Sequence, residues 1–196
     1  MALSFFHCFE TALGTCAVAW RVVGLSDGLI VGSQLPELDA ATTRQRMQAR
    51  FPTAIEAPPL PAVQAAVLGV QRLLAGESRD TAELLAVQLD DSALPAFHAQ
   101  VLALTRRIPV GQTLTYGEIA ARLGSPGAAR AVGQAEGSNP FAPIVPCHRV
   151  IGNGRGAGGV GTGFSAHGGV ATKLRLLAIE ARAVGQMAGE QGAFFD

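Results

Sequence analysis

A mixed α/β (α+β) fold in two units is predicted from three observations. Three β-rich segments separated by turn residues open the chain. After a proline-rich break, apolar residues recur at helical spacing. The charge also changes sign along the sequence: residues 1–96 carry six basic and ten acidic groups, residues 97–183 nine basic and three acidic. The zero net charge of the 196 residues is therefore a cancellation, and it excludes no polyanionic partner. A hydrophobic content of 48% against 15% charged residues excludes a disordered chain. The length suits one domain or two small ones.

The strands are expected at residues 3–9, 15–23 and 29–34, which are rich in β-branched and aromatic residues. Ala12-Leu13-Gly14 and Ser26-Asp27-Gly28 supply turn chemistry between them. Residues 40–50 read as a polar helix. Pro58, Pro59 and Pro61 break the chain, and Val63, Val67, Val70 and Leu74 mark a helix over 63–75. Residues 84–89 alternate weakly and predict a further strand. The boundary between the units falls at residues 92–95, giving an N-terminal domain over 1–92, a second over 93–183 and a flexible tail over 184–196.

The second unit opens with a helix on which Phe97, Val101, Leu104 and Ile108 share a face, ended by Pro109. Thr115-Tyr116-Gly117-Glu118 has the capping-box pattern and starts a short helix that Gly124 stops. Ser125 as cap and Pro126 at the first helical position start another, running to about Ala135. Two short helices around a tight turn form a helix-turn-helix candidate or an ordinary αα corner. Gly127, Ala128, Ala129, Ala131, Gly133 and Ala135 leave the second helix nearly bare, with Arg130 and Gln134 as its long polar side chains. Docked on DNA, it would read shape and phosphates; otherwise it packs against its own core.

Pro140, Pro143 and Pro146 stiffen the approach to Cys147-His148-Arg149-Val150. A rigidly held nucleophile needs less ordering to react. Flanking His and Arg predict a lowered thiol pKa, although many single cysteines are inert buried thiols. His7, Cys8 and Cys16 fit no compact zinc spacing, and neighbours on a strand point to opposite faces, so no metal is expected. The longest uncharged run, 156–172, is Gly-rich and polar, which predicts no membrane span. The apolar start lacks a basic region and is interrupted by Glu10, so no signal peptide is expected. With three cysteines, that predicts free thiols in the cytoplasm.

Pro146-Cys147-His148-Arg149-Val150 resembles the active-site motif of the O6-alkylguanine-DNA alkyltransferases (methylated-DNA–protein-cysteine methyltransferases). Thr115 to Ala120, Ala128 to Gly133, Asn139-Pro140, and Lys173 with Leu176 to Glu180 match in the same order, over about residues 97–182. The resemblance implies a ribonuclease-H-like N-terminal domain followed by a winged-helix, helix-turn-helix-like domain. It implies a cofactor-free, monomeric, bacterial-type protein that binds double-stranded DNA in the minor groove. There it would flip out the alkylated base and move the alkyl group from O6-alkylguanine, or O4-alkylthymine, irreversibly to its own cysteine.

By the same resemblance Cys147 is nucleophile and methyl acceptor, and His148 is its base through water. Glu180 orients His148, Tyr116 assists the leaving guanine, and Asn139 braces the active-site turn. Tyr116, Gly117, Ser125, Ala128, Ala129, Arg130 and Gly133 would meet DNA, with Arg130 filling the vacated stack. His98 matches a position near the DNA backbone. Pro140, Val150, Phe164, Ser165 and Lys173 would line the substrate pocket. The stretch Gly163-Phe164-Ser165-Ala166-His167-Gly168-Gly169 is two residues longer than the family's usual form, leaving Ser165 and His167 both as candidates to meet O6. The glycine-rich loop 152–163 is expected to be mobile. Two other classes fit less well: a silent lesion binder, which would lack the cysteine, and a Cys-His-Glu hydrolase, which would leave Arg130 unexplained.

Overall fold

The computed structural model describes residues 3–22, 28–154 and 163–185. The Ser26-Asp27 part of the second turn, most of the loop 152–163 and all but the first two residues of the tail lie outside the described residues.

β1 (Ser4–Thr11), β2 (Gly14–Arg21) and β3 (Leu29–Gln34) form the expected antiparallel meander, and β4 (Ile55–Glu56) adds in parallel beside β1. The order is β3-β2-β1-β4. Gly14 makes the first turn with φ 120°, in a region that disfavours side chains. β2 is buried on both faces, so its sequence is a continuous apolar run without alternation. One face packs Ala17 and Ala19 with Phe6 of β1 against Met47 of α1 (Ala40–Arg50), which Asp39 caps through the Thr42 amide at 2.7 Å. The other packs Cys16, Val18 and Trp20 against Val63, Val67, Val70 and Leu74 of α2 (Pro61–Ala75).

The second half contains α4 (Ala96–Thr105), β5 (Leu114–Thr115), α5 (Tyr116–Arg122), α6 (Ala129–Gly137), a 3-10 turn (Cys147–Arg149), β6 (Val150–Ile151) and α7 (Gly169–Ala183). β5 and β6 pair in parallel. Val101, Ile108, Ile119, Val132, Ala135 and Val150 form a core of their own. The largest core joins the two halves, bringing Leu102, Val110, Phe141, Ile144, Val145 and Leu176 onto α2 and the sheet.

Three local expectations are corrected. Residues 84–89 form no strand: α3 (Ala82–Leu85) occupies the start, and Leu89 makes a lone bridge to Ile30. Asp80 Oδ1 accepts from the Ala82 amide at 2.8 Å and winds the chain, while Leu84 seats over Gly69, where a Cβ would sit 2.8 Å from its Cδ2. α4 ends at Thr105, and residues 106–108 continue in tighter turns, because the Ile108 carbonyl is taken by Arg149 Nη1 at 2.5 Å and Pro109 disfavours helix before it. α6 begins at Ala129, after a turn closed by the Ala128 amide on the Ser125 carbonyl. Gly127, with φ 98°, prevents the earlier start, and the Ser125 amide instead satisfies the Ala120 carbonyl at the end of α5.

Candidate active site

Cys147 opens the 3-10 turn and is 7% exposed. Asn139 ties the preceding loop together: its Nδ2 donates to Val145 O at 2.8 Å and its Oδ1 accepts from the Phe141 amide at 2.9 Å. Its side chain also favours the ionised form of the cysteine sulfur. The loop is fastened from the N-terminal half as well. The Ser33 amide donates to Pro140 O at 2.9 Å, the Ser33 hydroxyl to Ala142 O at 2.9 Å, and Arg50 Nη2 to Pro140 O at 2.9 Å. The cysteine is thus held by both halves of the molecule.

Behind it lies a sealed polar centre. His148 Nε2 meets Glu180 Oε1 at 2.7 Å. Arg149 donates to Glu180 through Nε at 2.9 Å and Nη2 at 2.8 Å, and the Gly111 amide adds a bond to Oε2 at 3.2 Å. All three side chains are at most 2% exposed. Burial pushes the Glu180 carboxyl up, but His148 and Arg149 override it and hold it at about 2. Burial lowers the His148 pKa, against the pull of Glu180. The imidazole is therefore neutral near pH 7. With Nε2–H directed to Glu180, its Nδ1 keeps a lone pair that accepts a proton.

The expected low thiol pKa is overturned. Burial first, and the charge of Glu136 second, push Cys147 up to about 12; Asn139 and Lys173 pull the other way and lose. The reason is that Arg149 turns inward and is neutralised by Glu180, while His148 carries no charge. Sequence adjacency says nothing of this orientation.

Tyr116 starts α5, half-buried, behind the capping box of Thr115 and Glu118. A Cβ on Gly133 would lie 3.9 Å from its ring, so α5 and α6 approach closely there. Lys173 is buried, donates to Val150 O at 2.6 Å and lies 5.7 Å from the Tyr116 ring centre. Val150 is buried beside it. Arg130 is exposed, Ala128 and Ala129 are half-buried at the start of α6, Gly117 is in the first turn of α5, and Ser125 is in the linking turn. His98 Nδ1 lies 3.3 Å from the Ser138 hydroxyl. Phe164 packs on the shared core. Ser165 lines a cavity of about 320 Å³ with Arg46, Arg50, Asn139 and Pro140. His167 turns toward Glu37, at 3.9 Å.

Arg50, Ser33, Thr105 and Glu136 were not anticipated; nothing in their local sequence marks them, since their partners are distant in the chain. Cys8 is half-buried and Cys16 buried, both as free thiols, and among the described residues no three His, Cys, Asp or Glu side chains gather as metal ligands. Among the described residues no helix is long and apolar enough to cross a membrane.

Residues 96–182 match the family described as 6-O-methylguanine DNA methyltransferase, DNA binding domain. The methylated-DNA–protein-cysteine methyltransferase of Mycolicibacterium paratuberculosis is 52% identical over 86 residues, covering 44% of this chain and 48% of that protein. That of Salmonella typhimurium is 52% identical over 81 residues, covering 41% and 44%. The matched segment thus spans about half the length of these curated relatives. Among solved structures, Mycobacterium tuberculosis OGT in complex with DNA superposes with a TM-score of 0.67 at 31% identity, over 91% of this chain and 94% of that one.

Proposed function

Because the chain belongs to the methylated-DNA–protein-cysteine methyltransferase family, we propose that it repairs DNA by direct reversal, moving the alkyl group of O6-alkylguanine to Cys147. The observation that carries this is Cys147 held rigidly beside the buried His148–Glu180 pair. Support also comes from the exposed Arg130 on a small-residue helix, and from the DNA in the M. tuberculosis OGT complex.

In this reading α6 enters the minor groove of double-stranded DNA. Small residues permit the approach, and Arg130 stacks in the gap left by the flipped base. His148 accepts the Cys147 proton through water, and Glu180 stabilises the resulting imidazolium. The thiolate attacks the alkyl carbon, the S–C bond forms and the C–O6 bond breaks. Tyr116 donates to the departing guanine. The thioether formed is not hydrolysed, so each molecule acts once, without a cofactor. The two-domain division, a ribonuclease-H-like 1–92 and a winged-helix-like 93–183 with a tail to 196, belongs to the same proposal, as do a monomeric state and a cytoplasmic setting.

The test is stoichiometry on duplex DNA containing O6-methylguanine. The proposal expects one lesion lost per protein molecule and none with Cys147→Ala. Catalytic turnover of an ester, with no lesion lost, favours the hydrolase; binding without loss favours a silent lesion binder.

A further inference from the structure

Glu136 is a buried acid that the proposed reaction does not use. It lies in the last turn of α6, 4% exposed, and meets Thr105, which ends α4 and is fully buried. Its Oε1 accepts from the Thr105 hydroxyl at 2.5 Å. Its Oε2 is also buried and, among the described residues, has no hydrogen-bond partner. A carboxylate offers about four acceptor sites, and here one bond serves them. Sealed from water in that state, the charged form is costly and the neutral form much less so.

The elements packed against α6, chiefly α4 and α5, bring no cation to this carboxyl. On α4 and just beyond it, His98 meets Ser138, Arg106 reaches the Leu84 and Val87 carbonyls, and Arg107 is exposed. On α5, Tyr116 faces Lys173, Glu118 is bonded within its capping box, and Arg122 is exposed. On α6 itself Arg130 is exposed. Lys173 of α7 is bonded to Val150 O; its charge favours the Glu136 anion but is outweighed by burial, which raises the carboxyl to about 7. The Cys147 thiol, at about 12, is uncharged over the same range.

We propose that Glu136 is a positioning residue for α6, fastening the helix to α4 through Thr105 while it is uncharged and releasing it when charged. Val132 and Ala135 seat α6 in the core of the second half, and the Thr105 bond adds a polar fastening at the adjoining position. A charged carboxyl reaches water only if the last turn of α6 lifts from α4; the proton it gives up goes to solvent. The folded carboxyl titrates above its ordinary 4.5. The fastening is therefore complete below about pH 4.5 and is lost as pH rises through about 7. Its bearing on DNA rests on α6 as the contacting helix; the fastening itself does not.

The experiment is hydrogen exchange of the full-length protein, read by mass spectrometry on a peptide covering α6 from pH 5 to 9, with the intrinsic pH dependence of exchange divided out. In the parent, protection of α6 is expected to fall at least about tenfold between pH 5 and 8 and then to level. Glu136→Gln keeps an acceptor for Thr105 but carries no charge, and its α6 protection is expected to stay level throughout. A peptide from α2 reports changes common to the whole chain and is expected to behave alike in both proteins. Equal slopes in parent and Gln variant, or a divergence as large in α2 as in α6, overturns the proposal. Thr105→Val tests the partner. It is expected to lower α6 protection at pH 5 in the parent and to add nothing to Glu136→Met, which offers no acceptor; additive losses overturn the fastening. Should the Gln variant not fold, the same level profile is required of the Met variant. Failure to bind DNA, with the divergence present, counts against the proposed function and not against this fastening.

Discussion

Glu180 joins the chemistry of the site to the stability of the chain. Its carboxylate is the partner of both His148 and Arg149. The folded-state pKa lies at about 2 against an ordinary 4.5. The stability it contributes is therefore complete above about pH 4.5 and is lost as pH falls toward 2. A shift of this size corresponds to roughly 3 kcal/mol. Denaturant titrations between pH 5 and 2 are expected to show that loss in the parent protein and to lack it in Glu180→Gln. At neutral pH the Gln variant is expected to lose about 3–5 kcal/mol, because Arg149 is left buried without its anion. An unchanged unfolding free energy at pH 7 would contradict the pairing. At this scale the sequence brought out residues that the structure places together, but not their state. His148, Glu180 and Cys147 could be singled out, yet the thiol is raised, not lowered, because Arg149 points inward. Side-chain direction depends on the 3-10 turn, which no local pattern announced.

At the scale of the element, α5 and α6 carry the proposed DNA contact. The capping box at Thr115 and Glu118 was legible because both halves of the motif lie within four residues. The start of α6 was not: Pro126 satisfies the rules for a first helical position, but Gly127 in the left-handed region outranks it. β4, β5 and β6 escaped prediction because each has two residues and forms only when a distant partner arrives. Since α6 begins late, Arg130 stands in its first turn, exposed. Arg130→Ala is expected to lose at least about tenfold in rate on duplex DNA, corresponding to roughly 1.4 kcal/mol, and little on a free O6-alkylguanine base. Equal losses on both substrates would remove its part in base flipping.

At the scale of the whole molecule, the acidic first half is more than a neighbour of the basic second. β3 and α1 grip residues 140–142 through Ser33 and Arg50, and the largest core takes residues from both sides of positions 92–95. The change of charge along the chain was readable from composition; the fastening was not, because Arg50 and Pro140 are 90 residues apart. The charge division also survives folding. Arg149 is buried and paired with Glu180, while among the described residues Arg106, Arg107, Arg122, Arg130, Arg175 and Arg182 are exposed or half-buried and carry the basic excess of the second half. DNA binding is accordingly expected to weaken with salt. Arg50→Ala deletes charge-assisted bonds to two carbonyls and is expected to cost about 1–3 kcal/mol of stability, with slower alkyl transfer as the loop loosens. Full stability with full rate would show the fastening to be incidental. The central claim, that Cys147 itself receives the alkyl group, is tested by peptide mapping after one equivalent of duplex O6-methylguanine. A single methyl on the peptide bearing Cys147, with Cys8 and Cys16 unmodified, is the predicted result. A methyl on either of those cysteines, or lesion loss with no protein adduct, would contradict it.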